Sequence, residues 1–271
     1  MSEPAQDMVT GSGGRVGFKD GWQWFGSGFK RYRRNPVLMM FWVMSYWTLL
    51  GLLGMLPVLG DLLVAAMAPV LLVGVMAGCR ELDRDLMPPF TVLFSGFSQR
   101  MQTLMGLGVV HFVLTLAVLA ITALSDGGVL LQYLARGTLG VQDLPMPDAA
   151  EISPVSLSLA VMAYIPVLLA FAYAPLLVAW RNFGLIKSLF FSLVAAWRAW
   201  RGLAGFLAAI ILYGILLPSV AMMLLVSVGL DDALVTSLVV IPIVIVLAPT
   251  VVSGMYTSYC AVLPSPSGSD A

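Results

Sequence analysis

Between Pro36 and Leu263 run six apolar stretches that contain no Asp, Glu, Lys or Arg, and this constrains the fold more than any other feature of the chain. A bilayer core of ~30 Å is crossed by ~20 apolar residues in a helix. Inside lipid each backbone N–H and C=O must find a partner within the protein, which a helix provides and an open sheet does not. The stretches lie at about Pro36–Val58, Leu62–Cys79, Thr103–Leu124, Leu157–Trp180, Leu203–Val228 and Ala233–Leu263. They predict an all-α polytopic membrane protein with six transmembrane helices. Only 10% of the residues are charged and 60% are hydrophobic, with a mean hydropathy of +0.96. A soluble domain has ~25% and ~45–50%. The first 35 residues hold no apolar h-region and no small-residue cleavage site, so the first span is expected to act as the targeting signal.

Three shorter runs alternate with the spans. From Asp20, which suits an N-cap with Gln23 three residues on, Trp22, Phe25, Phe29 and Tyr32 recur on one helical face. Gln23, Ser27, Lys30 and Arg34 recur on another. An aromatic face opposite cations is what a helix lying in the membrane interface needs, and Asn35-Pro36 hands it over to the first span. A second run follows Pro88-Pro89, with Phe90, Leu93, Phe94, Phe97 and Met101 on its apolar side. The third lies between Phe183 and Gly202, with Phe183, Ile186, Phe190 and Trp197 on its stripe. These predict three interfacial amphipathic helices.

All 14 Lys and Arg except Arg136 fall before the first span, between the second and third, or between the fourth and fifth. Asp61, Asp126, Asp143, Asp148, Glu151, Asp231 and Asp232 occupy the opposite connections. By the positive-inside rule both termini and the three amphipathic helices are cytoplasmic. Cys79 and Cys260 sit near helix ends on that side, where thiols stay reduced and a disulfide is not expected. Residues 1–19 and 264–271 are poor in apolar groups and are expected to be disordered tails around a single membrane domain at 20–263.

The three runs and their spans also read as a repeat, with units at about 20–85, 86–180 and 181–263. Each unit opens on a serine beside aromatic residues: Ser27-Gly28-Phe29, Ser95-Gly96-Phe97 and Phe191-Ser192-Leu193. Its second span carries Ala-Pro before aliphatic residues, at Ala68-Pro69, Ala174-Pro175 and Ala248-Pro249. In Gly21-Trp22-x-Trp24, Asn35-Pro36, Leu56-Pro57-x-x-Gly60, Pro69 with Gly74, and Phe94-x-Gly96-Phe97, the chain resembles a family of uncharacterised bacterial six-span inner-membrane proteins. Their fold is similar to the membrane domain attached to some glycerophosphodiester phosphodiesterases. The resemblance implies topology and a place in the inner membrane; with no established activity in the family, it implies no site.

The chemistry is sparse. His111 is the titratable candidate within the spans, and a neutral imidazole bonded to a hydroxyl or carbonyl of another helix is the expected role. Intramembrane charges usually mark relays and pathways, so proton-coupled transport is disfavoured. One histidine does not supply a metal cluster, nor do Gly11-x-Gly13-Gly14 and Gly26-x-Gly28 have the context of a phosphate loop. Arg80–Asp85 mixes both signs at i, i+4 spacing and reads as a mutually paired, solvated helix end. No catalytic residue, cofactor, metal or nucleic acid is expected.

The function expected is that of a non-enzymatic accessory or scaffolding protein of the bacterial inner membrane, binding anionic lipid headgroups or a membrane protein partner. Trp22, Trp24, Arg31, Arg33, Arg34, Lys187, Trp197, Arg198, Trp200 and Arg201 would carry it. The alternative is a transporter or lipid-handling protein with a cavity lined by proline-broken helices at Pro69, Pro175 and Pro249, together with His111.

Overall fold

Helices account for nearly all of the computed structural model, which describes residues 16–57, 59–129, 132 and 154–263. In chain order they are α1 (Phe18–Arg34), α2 (Pro36–Gly54), α3 (Gly60–Asp83), a 3-10 helix (Phe90–Ser98), α4 (Met101–Asp126), α5 (Pro154–Phe171) and α6 (Ala174–Arg181). Next come α7 (Leu185–Arg198), α8 (Trp200–Ile211), a π-helical turn (Leu212–Leu216), α9 (Leu217–Ser227) and α10 (Asp232–Val262). No strand occurs among the described residues. Six helical runs there are long and apolar enough to cross a membrane: Pro36–Gly54, Gly60–Asp83, Met101–Ser125, Pro154–Arg181, Trp200–Ser227 and Leu234–Val262. These match the six expected spans to within a few residues. Their outward faces are apolar, with Met162 71% and Met223 67% exposed, an arrangement that suits lipid. The expected tails at 1–15 and 264–271 and most of the Ser125–Ser156 connection, including Asp143, Asp148, Glu151 and Arg136, lie outside the described residues.

Local chemistry adjusts several expected boundaries. Helix α1 starts at Phe18 rather than Asp20, because the Gly17 N–H donates to the Asp20 carboxylate at 2.7 Å and places Asp20 inside the first turn. The second amphipathic run is a nine-residue 3-10 helix. With three residues per turn, positions i and i+3 eclipse, so Leu93 and Gly96 both present backbone to α3. A Cβ on Gly74 would overlap the Leu93 carbonyl, and one on Gly96 would overlap the Val70 carbonyl. In the fifth span, Pro218 has no N–H to donate to Gly214. Here the helix widens, and the Leu217 N–H reaches Leu212 O five residues back.

By packing, the chain divides into two units, each with its own interior. One contains the described residues up to Trp47, Gly74–Ser95 and those from Ala195 onward. In it α1 lies against α8 and α10. Gly21 meets the backbone at Gly202 and Phe206, and Gly28 meets the backbone at Thr250 and Gly254, so closely that no side chain fits at either glycine. The Trp42 ring, fully buried, covers Gly78.

The other unit contains Thr48–Val73 and Gly96–Val194. There α4 packs on α5 and α6, and Gly108 meets the Ala65 carbonyl of α3. The fourth span breaks at Ala172-Tyr173, just before Pro175. Ser192 of α7 fills the break: the Tyr173 N–H donates to its Oγ at 2.9 Å, and the hydroxyl donates to Leu169 O at 3.1 Å. A side chain inserted into the i→i−4 ladder is a recognised cause of a helix kink.

Each short helix therefore rests on an Ala-Pro segment. Gly28 lies on the carbonyl of the residue after Pro249, Gly96 on that of the residue after Pro69, and Ser192 accepts from the N–H of Tyr173, two residues before Pro175. The partner is the preceding span for the 3-10 helix and α7, and the last span for α1, a pairing that runs across the unit boundaries expected from the sequence.

Candidate functional site

Helix α1 carries most of the expected site, and its 17 residues present three faces rather than two. Gly21, Trp24, Gly28 and Tyr32, spaced i, i+3, i+7 and i+11, are buried. Trp24 is only 4% exposed and lies against Gly202, so this indole is part of the packing and does not face headgroups. Arg31 follows the same inward direction. Its Nε and Nη2 donate to the two Asp83 carboxylate oxygens at 2.8 and 2.6 Å, and its Nη1 donates to Ser253 O, Ser253 Oγ and Thr257 Oγ1 at 3.1, 2.8 and 3.1 Å. The guanidinium also stands 5.0 Å from the Tyr256 ring centroid. Burial acts to lower its pKa, but pairing with Asp83 more than offsets this and leaves the group above its ordinary value. Arg31 is thus a fixed cation tying α1 to α3 and α10, with a side chain 10% exposed.

Arg34 makes a second tether, donating through Nη2 to Asp85. The Arg80–Asp85 segment was expected to pair within itself; two of its carboxylates instead pair with α1. An intrahelical reading of i, i+4 charges has no access to partners some fifty residues away in sequence, and the structure corrects it.

On the outer side of α1, Trp22, Phe25, Gly26 and Phe29 form one wall of a cavity of about 400 Å³. Tyr213 of the π turn and residues of α10 between Ile243 and Thr250 form the other. Phe25 stacks on Tyr213 with centroids 5.2 Å apart and planes 6° apart, while Trp22 meets Tyr213 edge-on at 6.2 Å. The Thr250 hydroxyl is already committed to Val246 O at 2.7 Å, which leaves that wall apolar. Arg33, exposed, extends the same face, with Cζ 5.9 Å from the centroid of the Phe29 ring.

The other expected residues are placed separately. In the unit containing α1, Trp197 and Trp200 are 66% and 55% exposed, Arg198 is exposed, and the Arg201 guanidinium stands 5.6 Å from the Trp200 ring. In the second unit the Lys187 ammonium sits 4.3 Å from the Phe183 centroid. Pro69, Pro175 and Pro249 are all buried. None of them lines the cavity beside α1, and each lies where a short helix docks. His111 Nε2 is 3.1 Å from Tyr164 Oη, the hydroxyl-bonded role expected for it, and its ring packs 4.8 Å from that of Phe171. Cys79 and Cys260 are free thiols, the first buried and the second exposed.

Asp83, Ser253 and Thr257 were not anticipated from the sequence, and neither was Tyr213. For Tyr213 a faint signal existed: Tyr213-Gly214 interrupts the aliphatic run of the fifth span just ahead of Leu217-Pro218.

Six apolar helices whose hydroxyls mostly bond to carbonyls of their own helix, with charges confined to their ends, define a multi-pass integral membrane protein. The chain is 37% identical over 195 residues to a protein of Burkholderia thailandensis named as a probable inner membrane protein. That match covers 68% of this chain and 69% of the relative. The chain belongs to this family of inner-membrane proteins. No family description and no solved structure matches it.

Proposed function

We propose that the protein is a non-enzymatic accessory or scaffolding component of the inner membrane, whose cytoplasmic face holds anionic lipid or a membrane partner. The observation that carries this reading is a repeated pairing of a cation with an aromatic ring: Arg33 with Phe29, Lys187 with Phe183, and Arg201 with Trp200. A ring beneath a cation contributes about 0.5–1 kcal/mol at an exposed site and leaves N–H donors facing outward for phosphate. Arg31 and Trp24 are assigned to holding α1 in place, and the binding face to the exposed residues. The charge distribution supports cytoplasmic termini. Docking of all three short helices at Ala-Pro segments supports the threefold repeat and, with their exposed aromatic faces, an interfacial placement. The fold likeness to the membrane domain of some glycerophosphodiester phosphodiesterases belongs to the same proposal.

The test is a quadruple Gln variant at Arg33, Lys187, Arg198 and Arg201, purified from native membrane with its lipid and protein companions quantified. The reading expects loss of co-purifying phosphatidylglycerol, cardiolipin or protein relative to zwitterionic lipid. Unchanged retention in a variant that still folds refutes it. The lipid-handling alternative is favoured by one observation, the apolar cavity between α1 and α10, which flanks Pro249 without being lined by it.

A further inference from the structure

We infer that the cavity between α1, the π turn and α10 is a seat for one acyl chain of an anionic glycerophospholipid, whose phosphate is held by Arg33 and Lys30. This rests on the reading that exposed cations of the protein meet anionic lipid, and deepens it by naming the site. Four features converge on that occupant.

The first is size. At roughly 30 Å³ per methylene-sized group, similar to a water molecule's share of the liquid, about 400 Å³ takes on the order of a dozen methylenes, a large part of a membrane acyl chain. The second is polarity. Aromatic and aliphatic side chains make the walls, and Thr250 has its hydroxyl turned to its own helix, so a polar metabolite would find few partners. The third is charge placement: Arg33, four residues beyond Phe29, continues the helical face that walls the cavity, and Lys30, four beyond Gly26, stands at the edge between that face and the polar one. Arg33 is already positioned over the ring of Phe29. An acyl chain with an anionic head has this same distribution of apolar length and terminal charge.

The fourth is how the space is made. The fifth span widens into a π turn at Leu212–Leu216, a departure often found at functional sites. Tyr213 thereby stacks on Phe25 and closes one side of the cavity. On the α1 side, the wall dips at Gly26, where an added Cβ would meet nothing within 4 Å. The backbone contacts at Gly21 and Gly28 hold α1 against α8 and α10, so the recess persists between two fixed points.

Gly26 also supplies the test. The Cβ of Gly26→Leu meets no protein atom within 4 Å and its side chain enters the cavity, and leucine favours helix, so the variant is expected to retain the fold. The full-length protein in nanodiscs is photolabelled with phosphatidylglycerol bearing an acyl-chain diazirine, and the adducts are mapped by peptide mass spectrometry. The wild type is expected to concentrate label on residues between Trp22 and Phe29 and around Tyr213. Gly26→Leu is expected to reduce that label at least tenfold while adducts on the lipid-facing side of α4 stay constant. In Lys30→Gln/Arg33→Gln, label from phosphatidylglycerol should fall to the level seen with phosphatidylcholine.

If Gly26→Leu leaves the label unchanged while the charge variant loses anionic preference, the acyl seat is wrong and the headgroup reading stands. If Gly26→Leu removes the label and the charge variant changes nothing, the phosphate assignment is overturned. Uniform labelling of all spans refutes both parts.

Discussion

Removing one hydroxyl should loosen the fourth span at its break. Ser192, Tyr173 and Ala174 are fully buried, and the Ser192 Oγ bridges the Tyr173 N–H and the Leu169 carbonyl at 2.9 and 3.1 Å. Ser192→Ala removes both bonds at once. Hydrogen bonds between membrane helices contribute about 0.6 kcal/mol on average and up to about 1.7, whereas stranding a buried polar group costs about 1–3 kcal/mol. Two bonds at the membrane value set a floor near 1 kcal/mol. The ceiling is lowered by relaxation, because Leu169 O and Tyr173 N–H are i, i+4 partners that can close on each other if the kink straightens. Pro175 and the packing of α6 oppose that closure, so a loss of about 1–3 kcal/mol is expected.

The assay is equilibrium unfolding in mixed micelles together with hydrogen exchange at the Tyr173 amide, which should quicken. Ser188→Ala is the control: equally buried, Ser188 donates to Leu185 O within its own helix at 2.8 Å, and its removal should cost less than about 0.5 kcal/mol. Equal losses for the two variants, or an unchanged Tyr173 exchange rate in Ser192→Ala, would refute the bridging role.

Arg31→Gln should destabilise the protein by about 2–3 kcal/mol, less than the 3–5 of a fully buried pair because Asp83 is 40% exposed and partly screened. Asp83→Asn should cost comparably, and the double variant less than the sum of the two in the same unfolding assay. Gly28→Leu should prevent stable folding or cost more than about 3 kcal/mol, since the Thr250 carbonyl occupies the side-chain position; a thermal unfolding midpoint equal to that of Gly26→Leu would contradict the close packing. His111→Phe and Tyr164→Phe should each lose about 0.6–1.7 kcal/mol, with little further loss when combined. Additive losses would mean that the two groups do not stabilise each other.

The spans were legible because a 30 Å apolar slab imposes length and composition on every helix that crosses it, and the absence of charge at Pro36–Val58 or Leu203–Val228 needs no tertiary information to read. The break in the fourth span was legible from Pro175, but the partner that fills it was not. Ser192 is one of two serines in α7, and only three dimensions bring it to Tyr173. The same limit applies to α1. Helical periodicity separates an aromatic face from a polar one, but glycines carry no hydropathy signal, so Gly21 and Gly28 did not reveal the third, buried face on which Trp24 and Arg31 lie.

That third face explains why cations of one short segment divide into two roles. Backbone contact at Gly21 and Gly28 fixes the rotation of α1 about its axis, since a turn that brought a neighbouring side chain into their place would drive it into α8 or α10. Once the rotation is fixed, a 100° step per residue decides each cation's surroundings: Arg31, three residues after Gly28, must point inward and needs Asp83, while Arg33 must point outward over Phe29. The glycines, Trp24 and the Arg31 tether hold the helix, which leaves Gly26, Lys30 and Arg33 for the proposed lipid contact. Changes at Gly21, Gly28 or Arg31 should therefore register in stability, and changes at Gly26, Lys30 or Arg33 in lipid selection. An Arg33→Gln variant that unfolds earlier than wild type yet keeps its bound lipid would break that division of roles.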